Sequence, residues 1–482
     1  MASANNVRQL GEAIAAAAVT AALFYFGNGL EPRWWLVWLA PLPLLVFALR
    51  SSWWAAGLAA VVAMLVGNLN MWSYFTKTLG MPAVAWMQIY IVAGIFFALG
   101  VLLFRALALR GAVWSALVAL PAMWTTMEYV RNLTTPHGSA GSLAYSQLQF
   151  LPFLQVASLT GPWGMTFLLV LFPSALALGW HLRMKDRTQA AYVVGAGMGV
   201  IALALIFGSA RLAMPEKQTA RVGLITSDVQ GNLLVTDPGA DTERLFRDYA
   251  STARALVAQG AQAIVIPEKL GVTLEGKSAE TDAVMQSLAM QTGATVVAGV
   301  VHVDAPVKYN EARVYQPSSS AIERYDKEHM LPPFESNLKP GTELVLLPKK
   351  DQLWGVAICK DMDFRDPARR YGKAGAGLML VPGWDFVVDA GWHGHIAVMR
   401  GVEDGFSIAR AAKTGYLTVS DDRGRIIGEV RSNAAPFATL LVDVPSTHHA
   451  TLYQLMGDWF AWLSIAVQTF AVVRVMLPGS RA

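Results

Sequence analysis

Cys359 is the only cysteine in a chain of 482 residues. It follows the strand-like apolar run Leu353-Trp354-Gly355-Val356-Ala357-Ile358 and is followed at once by Lys360-Asp361-Met362-Asp363. A lone thiol forms no internal disulfide, so it serves either packing or reactivity. The four residues after it are too charged to continue a core strand, which favours reactivity. Two further groups suit an activated thiol. Ile266-Pro267-Glu268 sets a carboxylate directly after a buried strand, and Tyr325-Asp326-Lys327-Glu328-His329 sets an ammonium before a turn-rich stretch. A thiol needs a base to become a thiolate, and Glu268 can supply one. Attack on a carbonyl needs positive charge or donors at the developing oxyanion, a role open to Lys327. Taken singly, a glutamate or lysine is usually a solvated surface residue. Three such groups at three strand ends point to nucleophilic chemistry.

Elements must bring those ends together. Val222–Ile225, Ala263–Ile266, Ala294–Val303, Leu353–Ile358 and Gly377–Val381 read as short apolar strands. Asp241–Ala258 and Asp282–Gln291 read as helices, as does a stretch near 393–411. Buried strands alternating with helices predict a layered α/β domain, in which ligand and catalytic groups gather at strand ends.

That domain fills only part of the chain. The sequence is 54% hydrophobic and 15% charged, with a mean hydropathy of +0.40. Soluble domains carry about a quarter charged residues, so much of this chain is expected in lipid. Spans need about 20 apolar residues. Apolar runs near 10–28, 34–49, 54–74, 83–108, 112–131, 162–181, 190–210 and 459–477 predict about eight. The expected division is a membrane domain over 1–212 with seven spans, an extramembrane domain over 213–452, and a last span with a short tail over 453–482. The first run is long and has no small-residue cleavage pattern leading into a soluble start, so it reads as a retained span rather than a signal peptide. Arg8, Arg50, Arg105, Arg110, Arg183, Lys185, Arg187, Arg474 and Arg481 fall on one side, against Arg33, Lys77 and Arg131 on the other. Positive-inside orientation then places both termini in the cytoplasm and the large domain outside, in a bacterium the periplasm. The formal net charge of +4 gives no case for nucleic-acid binding.

The order Glu268, Lys327, Cys359 resembles the Glu-Lys-Cys triad of the nitrilase, or carbon–nitrogen hydrolase, superfamily. That likeness implies a four-layer α-β-β-α sandwich and a thioester on Cys359. It implies Glu268 as general base, Lys327 at the tetrahedral intermediate, and Glu335 as the carboxylate supporting the lysine. The membrane part narrows the likeness to the bacterial apolipoprotein N-acyltransferases. Pro121, Trp124, Glu128 and Arg131, then Tyr145-Ser146-Gln147, Gln155 and Gly161-Pro162-Trp163-Gly164, resemble that family's motifs, as does Gln230-Gly231-Asn232. His393, Arg400, Glu403, Gly405, Arg410 and Thr414-Gly415 keep its spacing after the nucleophile. The family resemblance implies a phospholipid acyl donor, a diacylated lipoprotein acceptor, no cofactor, a bacterial inner membrane location and a monomer.

Departures cluster at the rim. Lys360-Asp361 stand where the family has Tyr-Glu, and Pro382-Gly383-Trp384-Asp385-Phe386 replaces a Ser-Asn-Asp-x-Trp-Phe loop. His137-Gly138-Ser139-Ala140 lies near a lost Gly-Phe-Pro-Trp loop. Lys360, Asp361, Trp384, Phe386, Gln230 and Tyr145 are the expected substrate contacts. Lys360 either favours the thiolate from within or faces solvent. Trp384, Phe386 and Trp392 either guide acyl chains or act as interfacial anchors. His393 and His395 lack a third ligand at suitable spacing, so no metal is expected. Glu128 and Arg131 suit a structural ion pair or a substrate role. Two rivals remain. One is a membrane-anchored amidase or nitrilase that uses water, and the other is a non-catalytic membrane protein with a nitrilase-like binding domain.

Overall fold

A computed structural model describes residues 2–215, 218–229 and 241–477. The chain divides into two compact units, one of residues 1–135, 139–213 and 456–482, the other of residues 136–138 and 214–455.

The first unit is helical. Among the described residues, six of its helices are long and apolar enough to cross a membrane: Val7–Gly27, Trp53–Met71, Ala83–Leu109, Pro162–Leu182, Arg187–Leu212 and Trp459–Met476. The other two expected spans differ from that pattern. Residues 34–49 form two short helices, Trp34–Val37 and Leu42–Ala48, because Pro41 and Pro43 cannot donate to a continuing helix. Val113–Thr134 is a single helix, but its last turns carry Glu128, Arg131 and Asn132. Glu128 forms no ion pair with Arg131 among the described residues. Its carboxylate instead accepts from Trp124 Nε1 (3.0 Å), Leu143 N (2.8 Å), Ser142 Oγ (2.6 Å) and Thr166 Oγ1 (2.8 Å). A buried carboxylate with four donors is a staple, and it pins the segment around Ser142 to two helices.

The second unit is a sandwich. Its first sheet has the order β12-β1-β2-β3-β4-β5, built from β1 (Thr219–Thr226), β2 (Ala263–Leu274), β3 (Thr295–Asp304), β4 (Val307–Tyr315), β5 (Glu323–Asp326) and β12 (Ala438–Pro445). The second has the order β11-β10-β9-β8-β7-β6, from β6 (Val345–Lys349), β7 (Gln352–Val356), β8 (Leu378–Trp384), β9 (Ser407–Lys413), β10 (Tyr416–Ser420) and β11 (Ile426–Arg431). Three central strands of each sheet run parallel and the flanking pairs are antiparallel. Side chains alternate between two cores, as the two-residue period of a strand requires. Val222, Leu224, Ala263, Val265 and Val297 face the second sheet, whose Leu378, Leu380 and Ala409 share one core with them. Ile225, Ile264, Ile266, Val296 and Ala298 face the helices Asp241–Ala258 and Ala279–Thr292. The helices Ala368–Ala374 and Trp392–Asp404 belong with the second sheet. The layers are therefore α-β-β-α, with both sheet faces covered.

The helix expected near 393–411 is shorter in fact. It ends at Asp404, where Gly405 turns left-handed at φ 74°. Ser407–Lys413 beyond it is a fully buried strand paired parallel to β8. Its alternating apolar residues and Arg410 fit a strand, and the left-handed glycine is the stop signal.

Candidate active site

Glu268 leaves the first sheet on a bulge. Ile266 pairs with Ala298 and Gly271 with Val300, so Pro267 to Leu270 stand opposite Gly299 alone. Such a bulge re-aims a side chain. Lys269 turns at φ 50° to allow it. Gly299 leaves the space, since a Cβ there would lie 2.5 Å from Glu268 Cα and 2.6 Å from the Pro267 oxygen. A Gly299→Ala protein is expected to lose about 10- to 100-fold in turnover through displacement of Glu268. Turnover measured beside the melting temperature checks this, because a loss matching only the unfolded fraction contradicts it.

Lys327 follows β5, and its backbone N–H extends the ladder by donating to Asn310 O at 2.8 Å. Its Nζ donates at 2.8 Å to Glu268 Oε1 and at 2.8 Å to Glu335 Oε2. Asn310 Nδ2 bridges the same carboxylates, at 2.5 Å to Glu268 Oε1 and 2.8 Å to Glu335 Oε1. Glu335 also accepts from Leu331 N at 2.8 Å and from Lys269 Nζ at 2.6 Å. Glu268, Lys327 and Glu335 are all buried. Burial opposes the Lys327 charge, but Glu268 and Glu335 more than offset it and hold the ammonium well above its ordinary range. Burial likewise opposes the Glu335 charge, and Lys327 and Lys269 hold that carboxyl well below the carboxylate range.

Cys359 stands at φ 42°, on a sharp turn between β7 and the 3-10 turn Cys359–Asp363. A non-glycine residue held there costs about 1–3 kcal/mol and persists only where its surroundings enforce it. Asp361 enforces it. Its Oδ2 accepts from Ile358 N at 3.1 Å and Tyr325 Oη at 2.8 Å, and its Oδ1 from Glu328 N at 3.0 Å and His329 N at 2.8 Å. Asp361 was expected to touch substrate. It is instead fully buried, and its lone pairs are spent tying the cysteine turn to both sides of Lys327.

The thiol Sγ lies 3.5 Å from the Trp384 carbonyl and 3.5 Å from Arg410 Nη2. Burial pushes the thiol up, Glu268 adds to the effect, and Arg410 and Lys327 oppose it without reversing it. Burial and the Glu268 charge thus favour the protonated sulfur. Arg410 is itself fixed by Asp385, at 2.8 Å through Nη1 and 2.5 Å through Nη2.

The other expected contacts divide. Lys360 is buried, so it does not face solvent. Its Nζ lies 3.4 Å from His137 Nδ1 and 3.8 Å from Asp363. Burial lowers its ammonium below the ordinary range, against the pull of Asp363. Burial and then Lys360 lower His137 to about 4. Trp384 ends β8 beside the thiol, with Lys413 Nζ 4.7 Å and Lys269 Nζ 5.7 Å from its ring centroid. Phe386 packs on Phe334 with ring centroids 5.4 Å apart. Tyr145 belongs to the helical unit, where its hydroxyl lies 2.6 Å from Ser139 Oγ. Gln230 lies outside the described residues. His393 sits between Asp363 (3.2 Å) and Asp389 (3.4 Å), which raise it to about 10 against burial, whereas His395 faces Glu429 at 3.7 Å. The two histidines thus turn to different partners.

Lys269, Asn310, Arg410 and Asp385 form part of this site without having been expected there. Arg410 left a trace in the sequence as one residue of a spacing pattern, and Asp385 as part of an altered loop, whereas Lys269 and Asn310 left none.

Residues 16–176 match the family model described as the apolipoprotein N-acyltransferase N-terminal domain, and residues 237–435 match that of carbon-nitrogen hydrolase. An apolipoprotein N-acyltransferase from Geobacter metallireducens is 26% identical over 490 residues, covering 93% of this chain and 92% of that one. One from Haemophilus ducreyi is 24% identical over 480 residues, covering 91% and 90%. The chain belongs to the apolipoprotein N-acyltransferase family. Among solved structures, an amidase from Nesterenkonia sp. aligns with a TM-score of 0.41 at 20% identity, covering 47% of this chain and 90% of that one. The chain is an enzyme of the apolipoprotein N-acyltransferase family, and its buried carboxylates, ammonium and thiol are the candidate catalytic groups.

Proposed function

We propose that this protein moves a fatty acyl group from a membrane phospholipid, through a thioester on Cys359, to the α-amine of the diacylglyceryl cysteine that begins a lipoprotein. The observation that carries the proposal is the convergence of Glu268, Lys327 and Glu335 with a buried, strained Cys359 in a chain of this family.

Asn310 and Lys327 both engage Oε1 of Glu268. Its other oxygen takes the Cys359 proton, and Sγ attacks the ester carbonyl. The tetrahedral oxyanion faces Lys327, whose ammonium stays charged between two carboxylates. As the C–O bond breaks, Glu268 returns its proton to the leaving alkoxide and a lysophospholipid departs. The lipoprotein amine then attacks the thioester, Glu268 takes its proton, and the C–S bond breaks to give the amide and the resting thiol. In this reading Lys360, Trp384 and Phe386 bind the acyl donor.

The membrane arrangement completes the proposal. The six long helices together with residues 34–48 and 113–134 make eight crossings, seven before residue 212 and one after 453. The domain over 213–452 then lies in the periplasm, with both termini in the cytoplasm and the protein acting as a monomer in the bacterial inner membrane. The test is to incubate purified protein with phospholipid and a diacylated lipopeptide and to measure the lipopeptide mass. Gain of one acyl chain on the amine is expected. Release of ammonia or acid from small amides, with no change in the lipopeptide, would favour a water-using amidase and overturn the proposal.

A further inference from the structure

The residue after Glu268 brings a charge of its own. Lys269 has a left-handed backbone, and its side chain is 18% exposed. The turn directs its Nζ back to within 2.6 Å of Glu335 Oε1 and 3.9 Å of Glu268 Oε1. Two carboxylates held together by one asparagine and one lysine form a like-charged pair, and such a pair tends to retain a proton. A protonated Glu268 cannot take the proton of a thiol. With Lys327 alone the cluster of two carboxylates would carry one uncompensated negative charge. Lys269 supplies the second positive charge.

We propose that Lys269 is a positioning residue that holds Glu335 in place and keeps the Glu268–Glu335 pair ionised, so that it sets the lower pH limit of acyl transfer. This rests on the roles given above to Glu268 and Cys359. The other charged groups turned toward these residues are Lys327 from the end of β5 and Lys360 from the turn after β7. Behind the thiol lie Arg410 of β9 and Asp385 after β8. Lys413 approaches Trp384 independently of Lys269. None of these reaches Glu335 Oε1, the atom that Lys269 shares with Asn310.

The test compares unchanged protein with Lys269→Met and Lys269→Arg. Acyl transfer from phospholipid to diacylated lipopeptide and alkylation of Cys359 by iodoacetamide are followed from pH 4.5 to 8, with melting temperatures alongside. In the Lys269→Met protein the acid limb of both profiles is expected to move up by about 1–2 pH units, since a cation within about 4–6 Å of a carboxylate has an effect of that size. Lys269→Arg should restore the limb. A Lys269→Met protein that is slower by one factor at every pH, with its limb unmoved, overturns the role of Lys269 alone. Failure of the unchanged protein to acylate Cys359 at any pH overturns the thioester assignment and this inference with it.

Discussion

A Glu268→Gln protein is expected to acylate lipopeptide about 10²- to 10⁴-fold more slowly than the unchanged protein while melting within a few degrees of it. Glutamine keeps the size of glutamate and retains a carbonyl oxygen for Asn310 Nδ2. Lys327 keeps its bond to Glu335. What disappears is the proton acceptor. The cost is large because burial keeps the Cys359 thiol protonated, and Arg410 and Lys327 do not ionise it unaided. Single-turnover transfer from phospholipid, followed with the thermal melt, checks the expectation. A Glu268→Gln protein that forms acyl-enzyme at an unchanged rate would show that another group takes the proton.

The second large effect falls on a fully buried carboxylate that four donors engage. An Asp361→Ala protein is expected to lose about 3–5 kcal/mol of stability in the sandwich unit, because four buried donors lose their acceptor together. In a unit of this size that is a fall of about 10 °C in melting temperature. Activity should fall further than stability at temperatures where the unit remains folded, since the same carboxylate aligns Lys327 with the Cys359 turn. Asp361→Asn keeps one oxygen but turns an amide toward backbone donors, so its effects should lie between the two. Thermal denaturation and transfer rate, measured on both variants, separate these outcomes. An Asp361→Ala protein as stable and as active as the parent would remove the staple from the account.

Glu268 and Cys359 were legible because each follows an apolar run with a residue that a core does not choose. Ile358-Cys359 is a break of that kind just past β7, whereas Ile266-Pro267-Glu268 falls within β2, at the bulge that interrupts its pairing with β3. Lys327 directly follows β5, a short polar strand, and stood out by its place before the turn-rich Leu331-Pro332-Pro333-Phe334. The supporting groups were hidden because they depend on contacts distant in sequence. Asn310 lies within β4, where an alternating polar residue normally faces water, and only the fold brings it between Glu268 and Glu335. Lys269 reads as a surface lysine until its backbone is seen to turn left-handed.

Asp361 misled for the opposite reason. A charge beside a nucleophile suggests substrate contact, whereas its four partners are Ile358, just before Cys359, and Tyr325, Glu328 and His329, on either side of Lys327. In the helical unit, hydropathy marked the apolar runs but not their continuity. Pro41 and Pro43 divide one of them, and Glu128 occupies another as a hydrogen-bonded staple.

The most direct test is the mass of the Cys359 peptide after purified protein is mixed with a phospholipid of defined acyl chains and no acceptor. One acyl chain in thioester linkage on Cys359 is predicted, and adding diacylated lipopeptide should clear it as the N-acylated lipopeptide appears. N-acylated product formed at the full rate while Cys359 stays unmodified, or formed equally by a Cys359→Ala protein, would contradict the account.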